Sequence, residues 1–371
     1  MTGTCQPRPR SVAPASGMMV PLPFVPPAAQ DELLGSWLQR TASLYDLTAH
    51  QLLDRWLVIP SSNTNAISSV EMRVVASHAA ALVGDRMRVS PHFVTAMMPA
   101  AIDWLVAGDA DVAVCPRCLS SDDAAGRPRF RRRGWAQCWQ VLCPEHRTPL
   151  IDMTDWRHRT LEPTRIDRPI RRNAVGRIIE LRRSRGSGPS VRIGMNAVAQ
   201  MQLAIRGALA GRRPHALSWG DVDPQEFLTV VRDVTTFLLN RFDPQDQGLL
   251  LCVRQLRNYQ GDETLRCFER VRPRRWPAGQ GGCASLVSLS TVGEVGWRRC
   301  ALYWARELMH LRTARPWLPV PLTRDRGERQ RVALAYQSVA GIQWLGERAR
   351  GWSKRYRAQR WRNWEPVCRA F

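Results

Sequence analysis

Cys115-Pro116-Arg117-Cys118 and Cys143-Pro144-Glu145-His146, with 24 residues between them, are two short turns of one design. Each sets two metal ligands two residues apart, with a proline straight after the first. Proline fixes φ near about −65° and removes a backbone donor, so each turn is partly formed before a metal arrives. Brought together, the two knuckles offer three thiolates and one imidazole, the Cys3His donor set of a closed tetrahedral zinc site. A catalytic zinc keeps one position open for water, and four strong ligands leave none. The spacing predicts one structural Zn2+ held by Cys115, Cys118, Cys143 and His146. The bland alternative, four buried residues without a metal, must explain why the Cys-Pro pattern occurs twice.

Between the knuckles, Arg129–Arg133 and Ala136–Leu142 read as short strands of a zinc-ribbon hairpin. Trp135, Cys138 and Trp139 flank its middle. So small an element needs large side chains to form a core, and that is the expected role of the two tryptophans. Arg131, Arg132 and Arg133 are then the solvent-side, DNA-facing group. The competing reading stacks a base on the aromatics beside these arginines.

The surroundings of the knuckles carry a resemblance. Cys115, Cys118, Leu119, Asp122, Asp123, Phe130, Arg131, Trp135, Cys143, His146, Pro149, Leu150 and Asp152 spell Cys-Pro-x-Cys-Leu, an Asp pair, Phe-Arg, Trp and Cys-Pro-x-His-x-x-Pro-Leu-x-Asp. Upstream, Leu22-Pro23-Phe24-Val25-Pro26 and Asp31-Glu32-Leu33-Leu34-Gly35-Ser36-Trp37-Leu38 look like an opening motif in the right order. Over about residues 21–155 the chain resembles the TniQ family, accessory proteins of transposons. The resemblance implies partners: a transposase, an AAA+ ATPase of the same element and, in some members, a separate targeting complex. Many members continue with a further Cys-Pro-x-Cys knuckle. Met153-Thr154-Asp155-Trp156 stands in its place here, so a second complete zinc site is not expected.

Charge points the same way. In 371 residues there are 54 Lys plus Arg against 32 Asp plus Glu, a net charge of +22. Lys354 is the only lysine. Arginine's planar fork suits phosphates and guanine edges, although a GC-rich genome would also favour arginine codons. Codon bias does not explain the excess over acids, and a polyanion, most simply DNA, does. Residues 1–100 hold seven arginines and six acids and read as a packing or partner-binding unit. Most of the positive charge lies beyond them. Residues 157–192 hold eleven arginines and three acids, Arg171 and Arg172 among the former. That stretch reads as a basic linker or arm, solvated or bound to phosphate.

Three of the ten cysteines are assigned to zinc. The rest are scattered and odd in number, which suits a reducing cytosol. No apolar run reaches the ~18 residues needed to span a bilayer. Arg8 and Arg10 precede an apolar patch faintly like a signal peptide, but Pro21, Pro23, Pro26 and Pro27 break it. A cytoplasmic protein without a membrane partner is expected.

Helical spacing organises the rest. Residues 1–22 are a Pro-rich tail expected to be disordered. Residues 23–105 form a helical unit. Within it Leu33, Leu34, Trp37, Leu38 and Ala42 share one face, and Thr48 caps a second helix bearing Leu52, Leu53, Trp56 and Leu57. The pair has helix-turn-helix proportions and equally those of an ordinary bundle. Glu71–Val83 and Pro91–Val106 complete the unit. Residues 106–156 are the ribbon and 157–194 the basic connection. Residues 195–260 are helical, with Val198, Met201, Leu203, Ile205 and Leu209 in one helix and Pro224–Phe242 in another. Residues 261–371 are a basic helical region in which 272–284 is a loop and Arg315-Pro316-Trp317-Leu318-Pro319 stops the helix Trp297–Leu311. Gly341, Gly346 and Gly351 each cost about 1 kcal/mol in a helix, which favours two short helices at the end. Lys354, Arg355 and Arg357 lie on the basic face there and are the second expected DNA contact.

The fold class that follows is mainly α: a helical N-terminal unit with a small β zinc ribbon inserted, then a helical C-terminal half. A P-loop needs a lysine before Ser or Thr, and Lys354 stands between Ser353 and Arg355. No His-Glu-x-x-His helix or Gly-x-Ser-x-Gly elbow occurs either. No catalytic residue is expected. The reading is a non-enzymatic accessory factor of DNA transposition, with a stand-alone zinc-containing DNA-binding regulator as the alternative.

Overall fold

The computed structural model describes residues 21–57, 74, 79–99, 101–106, 113–152, 189–214, 222–240, 286–292, 295–309 and 339–353. Its elements are α1 (Leu34–Ser43), α2 (Ala49–Arg55), α3 (Ala80–Met87), α4 (Pro91–Ala96), β1 (Ala113–Val114), α5 (Pro116–Ala124), β2 (Ile151–Asp152), α6 (Pro189–Leu209), α7 (Pro224–Leu239), α8 (Val295–Leu308) and α9 (Val339–Arg350). The protein is mainly helical, as its periodicity predicts. No helix among the described residues is long and apolar enough to cross a membrane.

The N-terminal unit is built from α1 to α4 around Trp37, Leu38, Leu52, Leu53, Val83 and Val94. α1 buries the face read from the sequence. At its start Glu32 is wholly buried, and burying a charge needs a partner. Arg40 supplies it with bonds of 2.8 and 2.6 Å, and Ser36 Oγ adds one of 3.0 Å. Thr48 caps α2 through a reciprocal box with Gln51 (3.1 and 2.9 Å), which satisfies two otherwise orphaned amides. Gly84 sits where α3 meets α4. A Cβ there would lie 2.8 Å from the Val89 carbonyl oxygen, so no larger residue fits without moving backbone. Leu22 is buried in this core and its amide bonds the Arg86 carbonyl, so the unit begins at least one residue before the expected boundary.

A second core runs from Trp104 through the knuckles to α6, α7, α8 and α9. The metal-bearing segment therefore shares its interior with the C-terminal helices. α6 buries Val198, Met201, Ile205 and Ala208 at alternating three- and four-residue spacing. Leu203, expected on that face, is out of phase with it and 63% exposed. α6 starts at Pro189, before the expected Met195, and ends on Gly211 with φ +70°, where the Arg212 amide reaches back to the Gly207 carbonyl (2.8 Å). α7 is capped by Asp223, which accepts from the amides of Gln225 (2.9 Å) and Glu226 (3.0 Å). α9 runs unbroken through Gly341 and Gly346 and stops at Gly351. Buried Asp233 of α7 anchors it, accepting from Arg348 Nε (2.9 Å) and Trp352 Nε1 (2.8 Å). That anchorage offsets the helical cost of glycine. The expected stretches 272–284 and Arg315–Pro319 lie outside the described residues.

The hairpin expected between the knuckles is not formed. Arg133–Ala136 is a turn of 3-10 helix, and Arg132 and Gln137 make only isolated bridges, to Glu32 and Leu105. The paired strands lie just outside the knuckles instead. β1 runs antiparallel to β2, with Ala113 opposite Asp152 and Val114 opposite Ile151. Residues 135–142 are buried throughout, and their backbone bonds Trp104 and Val106 at one end and Gln202 of α6 at the other, rather than a hairpin partner.

Candidate metal centre

The two knuckles meet through different backbones. In the first, Cys115 is the N-cap of α5, Pro116 is its first residue, and Cys118 follows within the first turn. Proline is tolerated there because the first amides of a helix lack internal partners. The positive end of the helix also favours thiolates at both cysteines. In the second, the chain folds tightly: the Arg147 amide donates to the Cys143 carbonyl (2.8 Å), and the Cys143 amide donates to the Thr148 carbonyl (2.8 Å). Arg147 takes φ +50° to close the turn. The His146 amide then points at Cys143 Sγ (3.5 Å). Pairing of β1 with β2 holds the two knuckles together.

The four ligand atoms lie within 4.8 Å of one another. Cys118 Sγ is 3.6 Å from Cys143 Sγ, and His146 Nδ1 is 3.7, 3.3 and 3.6 Å from the sulfurs of Cys115, Cys118 and Cys143. A tetrahedron with zinc's ordinary bond lengths has edges of about 3.8 Å between sulfurs and about 3.6 Å from sulfur to nitrogen. The cluster fits a zinc-sized cation and could hold one. The three cysteines are buried and the imidazole is half-buried, so the donors are shielded from bulk water.

Three crowded thiols titrate unlike free ones. Hydrogen bonds from Cys118 and Cys143 hold the Cys115 thiol far below the ordinary range. The same contact with Cys115 drives Cys118 up, and it pushes Cys143 up to about 11. A metal must displace those protons, so loading releases protons and weakens as pH falls. Burial pushes nearby Cys138 up to about 12, and it stays a neutral core thiol. Sequence reasoning missed two groups in contact with the sulfurs. Thr148 Oγ1 is 3.5 Å from Cys115 Sγ, and Cys118 Sγ donates to Glu145 Oε2 at 3.3 Å. Both lie inside the second knuckle's motif, but nothing in their residue types announces the contact.

The expected DNA-facing trio is not a solvated row. Arg131 is buried; its amide donates to Ser36 Oγ (3.0 Å), and its carbonyl accepts from the Leu33 amide (2.8 Å). Arg132 lies over the rings of Phe130 (4.7 Å) and Trp135 (5.0 Å) and forks onto buried Asp122 with two bonds of 3.1 Å. Arg133 bonds Asp31 (2.8 Å) and the Ala96 carbonyl. These contacts join the N-terminal unit to the metal element. The reason is local: 131–133 runs alongside 31–34, so its side chains fall between two packed units. Trp135 and Trp139 are in the core, as read from the sequence. Arg171, Arg172, Lys354, Arg355 and Arg357 lie outside the described residues.

On its other side the metal element is gripped by α6 and α8. Gln202 accepts from the amides of Val141 (2.8 Å) and Leu142 (2.7 Å) and donates to the Leu142 carbonyl (3.2 Å). Arg299 donates to the Leu150 carbonyl (2.6 Å). No spacing rule could single out Gln202, because its partners are backbone groups about sixty residues away.

Comparison with known proteins adds one match. Residues 23–150 match the family model described as TniQ, a span that opens within the N-terminal unit and closes just after the second knuckle. No curated protein and no solved structure matches the chain.

Proposed function

From the TniQ domain at residues 23–150 we infer that this chain is a non-enzymatic accessory protein of DNA transposition. It binds DNA or a DNA-bound targeting complex and helps direct the transposase and the AAA+ ATPase of the same element to a target. The observation that carries this reading is the family match, over the residues that supply both the N-terminal helices and all four metal ligands. The ion is Zn2+ and its role is structural, because four strong donors close the coordination shell. The net charge of +22 supports a polyanionic partner.

The nearly neutral N-terminal helices are the surface offered to the transposition proteins, and the basic remainder is the surface offered to DNA. Of the arginines singled out between the knuckles, Arg133 is the one with a substantially exposed side chain (39%). Arg171, Arg172, Lys354, Arg355 and Arg357 remain in the proposal on charge alone. Co-purification with a transposase and an ATPase encoded beside this reading frame tests the role. Stable association with either supports it. DNA binding without either partner would favour a stand-alone regulator.

A further inference from the structure

Arg127, Arg129, Arg132 and Arg133, between the knuckles, each pair with a carboxylate: Asp122, Asp123, Asp122 and Asp31. The face beyond Gln202 is different. From Leu181 to Gly220 the chain contains seven arginines and no Asp or Glu. In that stretch Arg206, Arg212 and Arg213 are exposed on the last turn of α6 and just after it. Among the described residues no carboxylate pairs with Arg206 or Arg212. Arg206 instead lies over Trp139, 5.9 Å from the ring centre.

A second exposed arginine comes from the neighbouring helix. Arg232 of α7 lies over Trp104 at 4.8 Å, and its carboxylate neighbour among the described residues, Asp103 (3.7 Å), is 84% exposed. The two buried tryptophans are carried on adjoining backbone, since the Cys138 amide donates to the Trp104 carbonyl (2.7 Å). Stacking on an indole restrains a guanidinium without offsetting its charge, whereas a close carboxylate offsets it; Asp103, more distant and exposed to water, offsets Arg232 only weakly. The seam between the metal element and α6–α7 is thus edged by restrained, charged arginines.

We propose that this seam is a binding surface for the phosphate backbone of duplex DNA, contacted by Arg206, Arg212 and Arg232. The proposal rests on the reading of the chain as a DNA-binding accessory protein and moves the main contact away from Arg131, Arg132 and Arg133. Duplex DNA is the occupant because the guanidinium fork matches phosphate oxygens and the whole chain carries +22. The metal element supplies the tryptophans, so the surface exists only when that element is folded.

The test uses full-length, zinc-replete protein and a duplex of about thirty base pairs, with affinity followed by fluorescence anisotropy across a salt series. R206Q/R212Q/R232Q keeps the alkyl stems and removes three charges. Three lost phosphate contacts flatten the slope of log affinity against log salt by about 2.7. R206K/R212K/R232K keeps the charges and retains the wild-type slope. R212Q alone, at an exposed side chain, flattens it by about 0.9. A glutamine variant with the wild-type slope overturns the proposal while leaving the accessory role standing, and so does equal loss in the lysine and glutamine triples. Loss of transposase or ATPase association with DNA binding intact would assign the seam to an acidic protein surface instead. A wild-type protein that binds no duplex overturns the proposal together with the DNA-binding reading.

Discussion

Removing one ligand from a closed zinc site differs from truncating an ordinary core residue. Zinc binding in small Cys/His peptides supplies about 10–16 kcal/mol of apparent folding energy, far more than one buried side chain. Purified protein should therefore carry one equivalent of zinc, and Cys118→Ser should lose it together with the packing of Trp135 and Trp139. Mass-spectrometric metal analysis with tryptophan fluorescence checks both. Less than half an equivalent in the wild-type protein contradicts the assignment. Protonation gives a second reading of the same site. Cys118 and Cys143 have raised thiol pKa values, Cys143 to about 11, so at neutral pH both must give up a proton to the metal. Apparent zinc affinity should then rise with pH between 6 and 8, by up to about a hundredfold per unit for two displaced protons. Competition against a chelator at three pH values measures it, and a flat profile rules out the coupled thiols.

At the scale of elements, the polar anchors make predictions that hydrophobic burial does not. Gln202→Leu leaves the buried amides of Val141 and Leu142 without an acceptor, at about 1–3 kcal/mol for each unsatisfied group. It should lower the melting temperature by more than Leu203→Ala, a change at an exposed side chain. Asp233→Ala strips the acceptor from buried Trp352 Nε1 and releases α9 from α7, with a similar cost. Protection of 339–350 in amide hydrogen exchange should fall before that of α7. The helices themselves were largely legible. Thr48 as a cap, a helix opening at Pro224, and the spacing of Trp37, Leu38 and Ala42 are local signals, and local signals survive folding. That no hairpin forms between the knuckles was not legible, because residues 130–138 pair with segments distant in sequence. Arg131 misleads for the same reason, since it packs against the N-terminal unit; Arg132 misleads because Asp122, the carboxylate its guanidinium forks onto, becomes its partner only once α5 has formed.

For the whole molecule, the metal element is the piece that joins the rest. Its 131–133 segment lies against the N-terminal unit, and its 138–150 segment is held by α6 and α8. The clustering of Cys115, Cys118, Cys143 and His146 was readable from spacing alone, but this joining role was not, since no pattern in the sequence says which units share a core. Chelating the zinc should therefore loosen both junctions, and α1–α4 and α6–α9 should become separately protease-sensitive. The same arrangement gives the accessory role a physical form. On the proposed function, a nearly neutral unit would face protein partners and a basic half DNA, with the Cys3His cluster between them. The direct measurement is a transposition assay with the transposase, the ATPase and any targeting complex of the element, run with and without this protein. The account predicts that its omission lowers insertion frequency or scatters the target distribution, and that Cys118→Ser mimics omission. Unchanged frequency and unchanged target distribution in its absence would contradict the accessory role.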